Sequence, residues 1–277
     1  MALQSSGAIS FSDLQTEFGG SPPISLSEYY RGGAFVSGGA PNVPTSGALR
    51  MNKFYGGKAE IAITLASNAS NQNILTLAQA QGYNASTDST PIIVNINSGV
   101  TISGSGTHAL RTGGLNANSD LTINISGSVD GFTGTTGSPN TNGSAGGDAL
   151  YIETNTGGSA SLTVNVLSGG KLRGGGGGGG GRGNQGIGRY YDHKNGACRP
   201  YPLYYGSNGS NGAVGGFGQA GSSGSGGTVH PYYNTYPQCR YQTRTSGGSG
   251  GAAGFALRKN GRTVTLNNSG TVNGSAS

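Results

Sequence analysis

Residues 59–65, AEIAITL, alternate apolar and polar side chains as a half-buried strand does. The next stretch, NQNILTLAQAQGYN, changes period: Ile74, Leu77, Ala78 and Gln81 fall on one face of a short helix, and Gly82 ends it. Alternation then returns in PIIVNINSGVTISG, DLTINISGSVDG, SLTVNVLSGGKLRG and TVTLNNSGTVNG, which start at Pro91, Asp120, Ser161 and Thr263. A second short element precedes three of these copies: HALRTGG at His108, DALYIETN at Asp148 and FALRKNG at Phe255. Alternation that closes on Ser-Gly and repeats predicts β-solenoid-like coils paired edge to edge, with a sandwich of ordinary hairpins as the competing arrangement.

The four starts lie 29, 41 and 102 residues apart, and the excess sits on the same side of the repeat each time. Extra chain at one point of each coil should project from one face. The first excess is GFTGTTGSPNTNGSAGG, residues 131–147; the second, residues 174–254, begins with eight consecutive glycines between Arg173 and Arg182. Because the chain afterwards returns to the repeat, the glycine-rich part is inserted into a fold, which argues against a linker.

Between residues 206 and 227 glycine occupies every third position, a phase that a random Gly/Ser linker has no reason to keep. Gly248, Gly251 and Gly254 hold the same spacing, as do Gly131, Gly134 and Gly137. Three residues per turn is the repeat of the extended polyproline-II-type helix, and the lack of proline from 206 to 227 excludes a collagen-like use of it. The prediction is an inserted bundle of polyglycine-II helices, in which amide-to-carbonyl bonds between passes replace a side-chain core. At about 3.1 Å per residue, residues 206–227 would reach roughly 68 Å if straight, against about 25 Å for 174–181 or 247–254. The middle segment should therefore turn back near Gln219, giving four passes: 174–181, 206–218, 219–227 and 247–254. Arg173 should lie at the junction with the coils, and Arg182 should open the first outer loop.

Composition changes this picture only at the margins. With 57 glycines and 32% hydrophobic residues, a large side-chain core is not expected. The formal charge of +6 suits an anionic partner, but no basic run or helix concentrates it, so nucleic acid is not an expected partner. The start MALQSSG lacks a charged and then apolar leader, which reads as a soluble chain made without a signal peptide.

The first 57 residues carry a pattern of their own. SGAISFSDLQTEFGG, PISLSEYYRGG and SGALRMNKFYGG each offer alternating apolar residues, a capping type (Ser12, Ser27, Asn52), an aromatic stretch and then Gly-Gly. They predict three strand-then-short-helix α+β units. Units this small cannot bury their own aromatic faces, so Phe11, Leu14, Phe18, Tyr29, Tyr30, Phe54 and Tyr55 should pack together in a small head or against a larger assembly. The phrase ISFSDLQTEFGG…PISLSEYYRGG resembles a sequence at the start of tailed-phage tail and fibre proteins. That resemblance implies virion attachment through these residues.

Two segments poor in glycine fall at the outer end of the four-pass path, 182–205 and 228–246, and hold nine of the fourteen tyrosines. Tyrosine and arginine give large contact area at little entropic cost. The candidate receptor-binding residues are Arg189, Tyr190, Tyr191, His193, Tyr201, Tyr204, Tyr205, His230, Tyr232, Tyr233, Tyr236, Arg240 and Tyr241. Cys198 and Cys239 lie one in each loop, and on a virion surface a disulfide between them is expected, two free thiols being the alternative. His193, Cys198, His230 and Cys239 could also form a four-ligand set, but they lack the close pairing of structural zinc sites, and no metal or cofactor is expected.

Enzyme chemistry finds little support. Glycoside hydrolysis needs two carboxyl groups across the scissile bond, whereas residues 174–254 hold one acid, Asp192. Asp130, Asp148 and Glu153 could converge on one coil face, but solvated coil corners account for them better. No Ser nucleophile elbow, phosphate loop or HExxH occurs.

Glycine runs hosted in a repeat, with Tyr-rich outer segments, resemble the tip adhesins of the long tail fibres of T-even-like phages. The likeness covers residues 170–254 in organisation. The chain as a whole is expected to be mainly β with irregular glycine-rich structure: residues 1–57 attach to the virion, residues 58–173 with 255–277 form the body, and residues 174–254 form the tip. The likeness implies a non-enzymatic phage tail fibre adhesin, carried on the virion tail fibre or baseplate. Its partners would be a host receptor, either an outer-membrane protein or lipopolysaccharide, and other phage tail or baseplate proteins, with a homotrimer as a possible state. A tail-borne polysaccharide depolymerase and a purely structural fibre protein are the alternatives. The N-terminal units do not resemble that family's fibre-cap domain, which leaves docking directly on a baseplate open.

Overall fold

The computed structural model describes residues 3–31, 33–36, 40, 42–154, 156, 160–194, 197–200, 204–229 and 240–277, with backbone alone for 188–194, 197–200, 204 and 240–242. The chain is mostly β, with parallel sheets and few helices.

The N-terminal units contain the helix Phe11–Phe18 and two 3-10 turns, Leu26–Tyr29 and Met51–Phe54. No named strand precedes any of them among the described residues, which corrects the strand-then-helix expectation. The caps also sit two residues earlier than the pattern suggested. Ser10 and Asp13 form one reciprocal capping box and Ser25 and Glu28 another, while Arg50 starts the third turn without a side-chain cap. Leu14, Phe18, Tyr29 and Phe54 are buried together with Val36 and Val43. Phe54 is the hub, with ring centroids 6.1 Å from Phe18 and 6.4 Å from Tyr29. The Tyr29 hydroxyl donates to the Gly19 carbonyl at 2.8 Å.

The body coils through three strand positions per turn. Its first sheet runs in chain order, all parallel: Ile61–Leu65, Ile92–Ile96, Leu121–Ile125, Leu162–Val166 and Thr265–Asn268. Ala69–Ser70, Thr101–Ser103, Ser128–Asp130, Lys171–Arg173 and Thr271–Asn273 form the second sheet. Gln72–Asn73, Leu110–Arg111, Leu150–Tyr151 and Leu257–Arg258 form the third. Alternate residues point inward, so Val94, Ile123 and Val164 stack in register within a buried aliphatic core. That core is larger than bulk composition suggested, because glycine outside the coils dilutes the average. The helix Ile74–Gln79 buries Ile74 and Ala78 against the same core.

Outward positions hold the register as well. The Asn124 side-chain amide donates to Asn95, Asn165 to Asn124 and Asn267 to Asn165, at 2.9, 2.8 and 2.8 Å, so asparagines that follow Val94, Ile123, Val164 and Leu266 build a ladder across four coils.

Both insertions leave the coils at the same corner, between the second and third strand positions. The carboxylate of Asp130 accepts two hydrogen bonds from Arg173, at 2.8 and 2.7 Å, and Arg173 lies 4.0 Å above the Phe217 ring. Asp148 accepts from the Phe255 amide at 2.9 Å and from the Arg258 guanidinium at 2.5 and 3.0 Å, with His108 Nδ1 at 3.2 Å. These acids are buried locks between coils, which corrects their assignment to solvated corners.

The glycine-rich chain makes six passes rather than four, because residues 131–147 contribute an outward and a returning pass. Gly134 and Gly137 donate to Gly176 and Gly179, while Gly178 and Gly181 donate to Ser144 and Thr141. Opposite, Gly212 and Gly215 donate to Gly180 and Gly177, Gly180 donates to Ser222, and Gly248 and Gly251 donate to Gly181 and Gly178. Residues 174–181 are thus the central pass, with five neighbours around it. All eight of their carbonyls accept, and six of their amides donate, between described residues. At about 1 kcal/mol net per bond, this is of the same size as a backbone-ordering cost of about 1–2 kcal/mol per residue.

The central position explains the eight-glycine run. A Cβ at Gly175, Gly178 or Gly181 would lie 1.7, 1.9 or 1.8 Å from a carbonyl oxygen of the first insertion. At Gly174, Gly177 and Gly180 it would meet carbonyls of the last pass, and at Gly176 and Gly179 those of the fourth, Gly215 and Gly212. Outer passes have fewer neighbours: 206–227 needs glycine at every third residue, whereas 247–254, flanked by 141–147 and 219–227, has it at Gly247, Gly248, Gly250 and Gly251. The amides between their glycines are met by side chains: Ala213 donates to Ser222, Ser210 to Ser225 and Ser249 to Asn142, at 2.7, 2.7 and 2.8 Å.

Candidate functional site

The central pass continues beyond its glycine run. Gly183 and Gly186 keep donating to the pass alongside, and the amides of Arg182 and Gln185 donate to the side chains of Asn211 and Asn208. Arg182 therefore lies within the pass and does not open the outer segment. Its side chain is exposed because the first insertion ends there, with Asn140 donating to the Arg182 carbonyl at 2.8 Å.

What grows from the end of the bundle is a small antiparallel sheet, not a pair of loops. Its long strand, Ile187–Lys194, pairs with Ala197–Pro200, Tyr204–Tyr205 and Arg240–Thr243. The passes feed it directly. Gly206 donates to Gly186, Gly186 to Thr228 and Gly227 to Thr245, and Ile187 sits between Tyr205 and Thr243. A turn at Gly216–Gln219, with Gly218 at φ +69°, returns the chain toward this end along residues 219–227.

Register brings many candidate residues together. Arg189 lies opposite Tyr241, Tyr190 opposite Arg240, Tyr191 opposite Pro200, Asp192 opposite Arg199 and His193 opposite Cys198. Tyr204 pairs with Gly188, and Tyr205 is 52% exposed beside Ile187. Tyr201, His230, Tyr232, Tyr233, Tyr236 and Cys239 lie outside the described residues, and with them the partner expected for Cys198 and two of the four zinc candidates.

The N-terminal candidates divide. Leu14, Phe18, Tyr29 and Phe54 are consumed by the core of the head, where full burial stabilises by roughly 1.5–3 kcal/mol per side chain. Phe11 is 41% exposed, and the hydroxyls of Tyr30 and Tyr55 donate to the carbonyls of Gly47 and Gly7. These three keep surface for a partner.

The carboxylates of Asp130, Asp148 and Glu153 are engaged. Burial opposes ionisation of Asp148, but hydrogen bonds from His108, Arg258 and the Phe255 amide, with the charge of Arg258, outweigh it and hold the carboxyl well below the usual range. Glu153 lies 3.9 Å from Arg111. A proton-donating acid needs a raised pKa, so Asp148 is ill suited to hydrolysis. Among the described residues, no helix is long and apolar enough to cross a membrane.

The sequence reading missed that the first insertion joins the bundle; the shared three-residue phase of Gly131, Gly134 and Gly137 was the available signal. It also missed the Asp148–Arg258 lock, whose partners lie far apart in the chain.

A family model described as the phage tail fibre adhesin Gp38 matches residues 60–277. The crystal structure of the gp37-gp38 adhesin tip complex of the bacteriophage S16 long tail fibre matches with a TM-score of 0.52 and 20% identity, covering 100% of each chain. No curated protein sequence matches.

Proposed function

The chain belongs to the family of phage tail fibre adhesins described as Gp38, a receptor-binding family carried on the virion tail, and from that premise we propose how this member works. Residues 187–205 and 228–246 contact the host surface, and the bundle of polyglycine-II helices, which residues 182–186 continue, is the stiff mount that presents them. The β-solenoid body, residues 58–173 with 255–277, hosts both insertions at one corner and sets the direction in which the tip points. The observation that supports this reading is the backbone continuity of Gly186 and Gly206 with the tip sheet, whose strands include Arg189, Tyr190, Tyr191 and Arg240.

The head, residues 1–57, holds the adhesin to another tail fibre protein. Supporting this, the S16 match spans the N-terminal units, and that structure is a complex of gp38 with gp37. Phe11, Tyr30 and Tyr55 form the contact, while the buried aromatics shape the head that carries them. A clamp between Cys198 and Cys239 would tie the two tip segments together. The role is binding rather than catalysis: the carboxylates of Asp130 and Asp148 are held by Arg173 and Arg258. Purified full-length protein should block phage adsorption to host cells in a competition assay. Failure to compete at saturating concentration, with the protein folded, would remove the receptor-binding role.

A further inference from the structure

The hydrogen-bond directions of the central pass leave one side of it open. A helix with three residues per turn repeats its amides along three lines and its carbonyls along three others. In residues 174–181 the carbonyls of Gly174, Gly177 and Gly180 accept from pass 206–218, those of Gly175, Gly178 and Gly181 from 247–254, and those of Gly176 and Gly179 from 131–137. The amides of Gly177 and Gly180 donate to 219–227, and those of Gly175, Gly178 and Gly181 to 141–147. On the remaining line lie the amides of Gly176 and Gly179. Both glycines are buried, and neither amide has an acceptor among the described residues. Folded proteins rarely leave such groups unpaired.

The outer passes bond to one another in the order 206–218, 219–227, 247–254, 141–147, 131–137: Ser222 donates to Ala213, Gly221 to Gly251, Gly143 to Ser249 and Ser144 to Thr135. No hydrogen bond joins the two ends of that series among the described residues, so the open line falls between 206–218 and 131–137. Farther along the same line the chain serves itself. The amides of Arg182 and Gln185 donate to Oδ1 of Asn211 and Asn208, at 2.9 and 2.8 Å. Steps of three along the pass lead from these asparagines to Val214 and Phe217, whose side chains cannot accept, and both are exposed. Phe217 also covers Arg173 at the body end, and Thr133 and Thr136 are exposed on the opposite pass. The outcome is a groove roughly 25 Å long with two donors about 9 Å apart.

The passes already seated on the central one show what fits. Of the five residues in 141–147 and 219–227 that accept from its amides, four directly follow a glycine: Ser144, Gly147, Gln219 and Ser222. A Cβ at Gly143 or Gly221 would lie 2.2 or 2.1 Å from the Gly178 carbonyl, whereas the acceptor itself tolerates a side chain. We infer that the groove between 206–218 and 131–137 binds an extended Gly-X-X segment of a partner protein. The segment lies against the central pass as its sixth neighbour, and the residues after its glycines accept from Gly176 and Gly179. This rests on the bundle alone and not on the tip-contact reading.

The test follows amide exchange in the full chain, with the synthetic peptide acetyl-(Gly-Ser-Gln)5-amide as probe and a peptide of equal composition but broken glycine phase as control. In the free protein Gly176 and Gly179 should exchange about tenfold or more faster than Gly178 and Gly181. The phased peptide should slow them, and the control should not. Val214→Asn should supply Gly179 with the acceptor that Asn211 gives Arg182, slowing its exchange and weakening peptide binding about tenfold. Exchange at both amides as slow as at Gly178 without peptide would overturn the inference. So would unchanged exchange at saturating peptide while Val214→Asn still slows Gly179, since the amides would then belong to solvent. Protection that instead rises with protein concentration, together with dimer formation, would overturn the partner assignment in favour of a second copy.

Discussion

The amide of Gly178 donates to the carbonyl of Ser144 at 2.8 Å, joining two insertions that leave different coils of the body. Gly178 also accepts from Gly251, so one glycine ties three passes together. Gly178→Ala would place a methyl 1.9 Å from the Thr135 carbonyl, with backbone on every side. We expect a loss of about 3 kcal/mol or more, read by thermal or denaturant unfolding. Ser223→Ala, on the exposed side of an outer pass, should stay within about 0.5 kcal/mol.

The first insertion should support the second. Replacing residues 133–145 by a short turn removes the acceptors of Gly178 and Gly181 and the donors to Gly176 and Gly179. Amide exchange at Gly178 and Gly181 should accelerate strongly while the first sheet stays protected. Unchanged protection at both glycines would mean that the bundle stands without this hairpin.

Asn165 donates to Asn124 and accepts from Asn267, the middle of the ladder that holds the coils in register. Asn165→Ala should cost about 1–2 kcal/mol in unfolding experiments, since two hydrogen bonds lose a partner. Asn165→Asp should cost more: a carboxylate cannot donate to Asn124, and both groups would then accept.

Stability should fall on the acid side through Asp148. Its carboxyl titrates below the ordinary value of 3.8 when folded, because Arg258 and His108 hold the ionised form against burial. In the unfolded chain it takes up a proton near pH 4, so below that pH protons favour unfolding. The contribution is fully present above about pH 5 and is lost as pH drops toward the folded value. Asp148→Asn should lower stability at pH 7 and flatten this acid limb; equal slopes for both proteins would assign it to other groups.

The sheets were legible because alternation is local: every second residue of Ile92–Ile96 or Leu121–Ile125 must face the core, whatever lies elsewhere. The glycine phase was legible for a related reason. A lateral backbone contact every third residue forbids Cβ at that position, and the sequence records the prohibition directly. The central pass was harder to place. Its eight glycines announce contact on all sides without saying which segments supply it, and one supplier, residues 131–147, belongs to an earlier coil. Arg182 misled for the same reason, since a side chain is tolerated once that supplier ends, not once the pass ends.

Partnerships over long sequence distance were not legible. Asp148 and Arg258 are separated by 110 residues, and neither carries a pattern that distinguishes a lock from a solvated charge. In the head, aromatic content signalled burial but not whether the cover came from within the chain. Tyr29 and Phe54 find that cover in one another, leaving Phe11 outside. At the tip, composition set two segments apart, and the register of Arg189 with Tyr241 and Tyr190 with Arg240 supplied their pairing.

Host-cell adsorption by the purified protein carrying Tyr190→Ser, Tyr191→Ser and Tyr204→Ser, compared with the parent at matched melting temperature, tests the central claim most directly. The account predicts that the variant no longer binds cells or blocks the phage, while a head variant, Phe11→Ser, still does both. Full binding by the tyrosine variant would contradict it and move the receptor site off the tip.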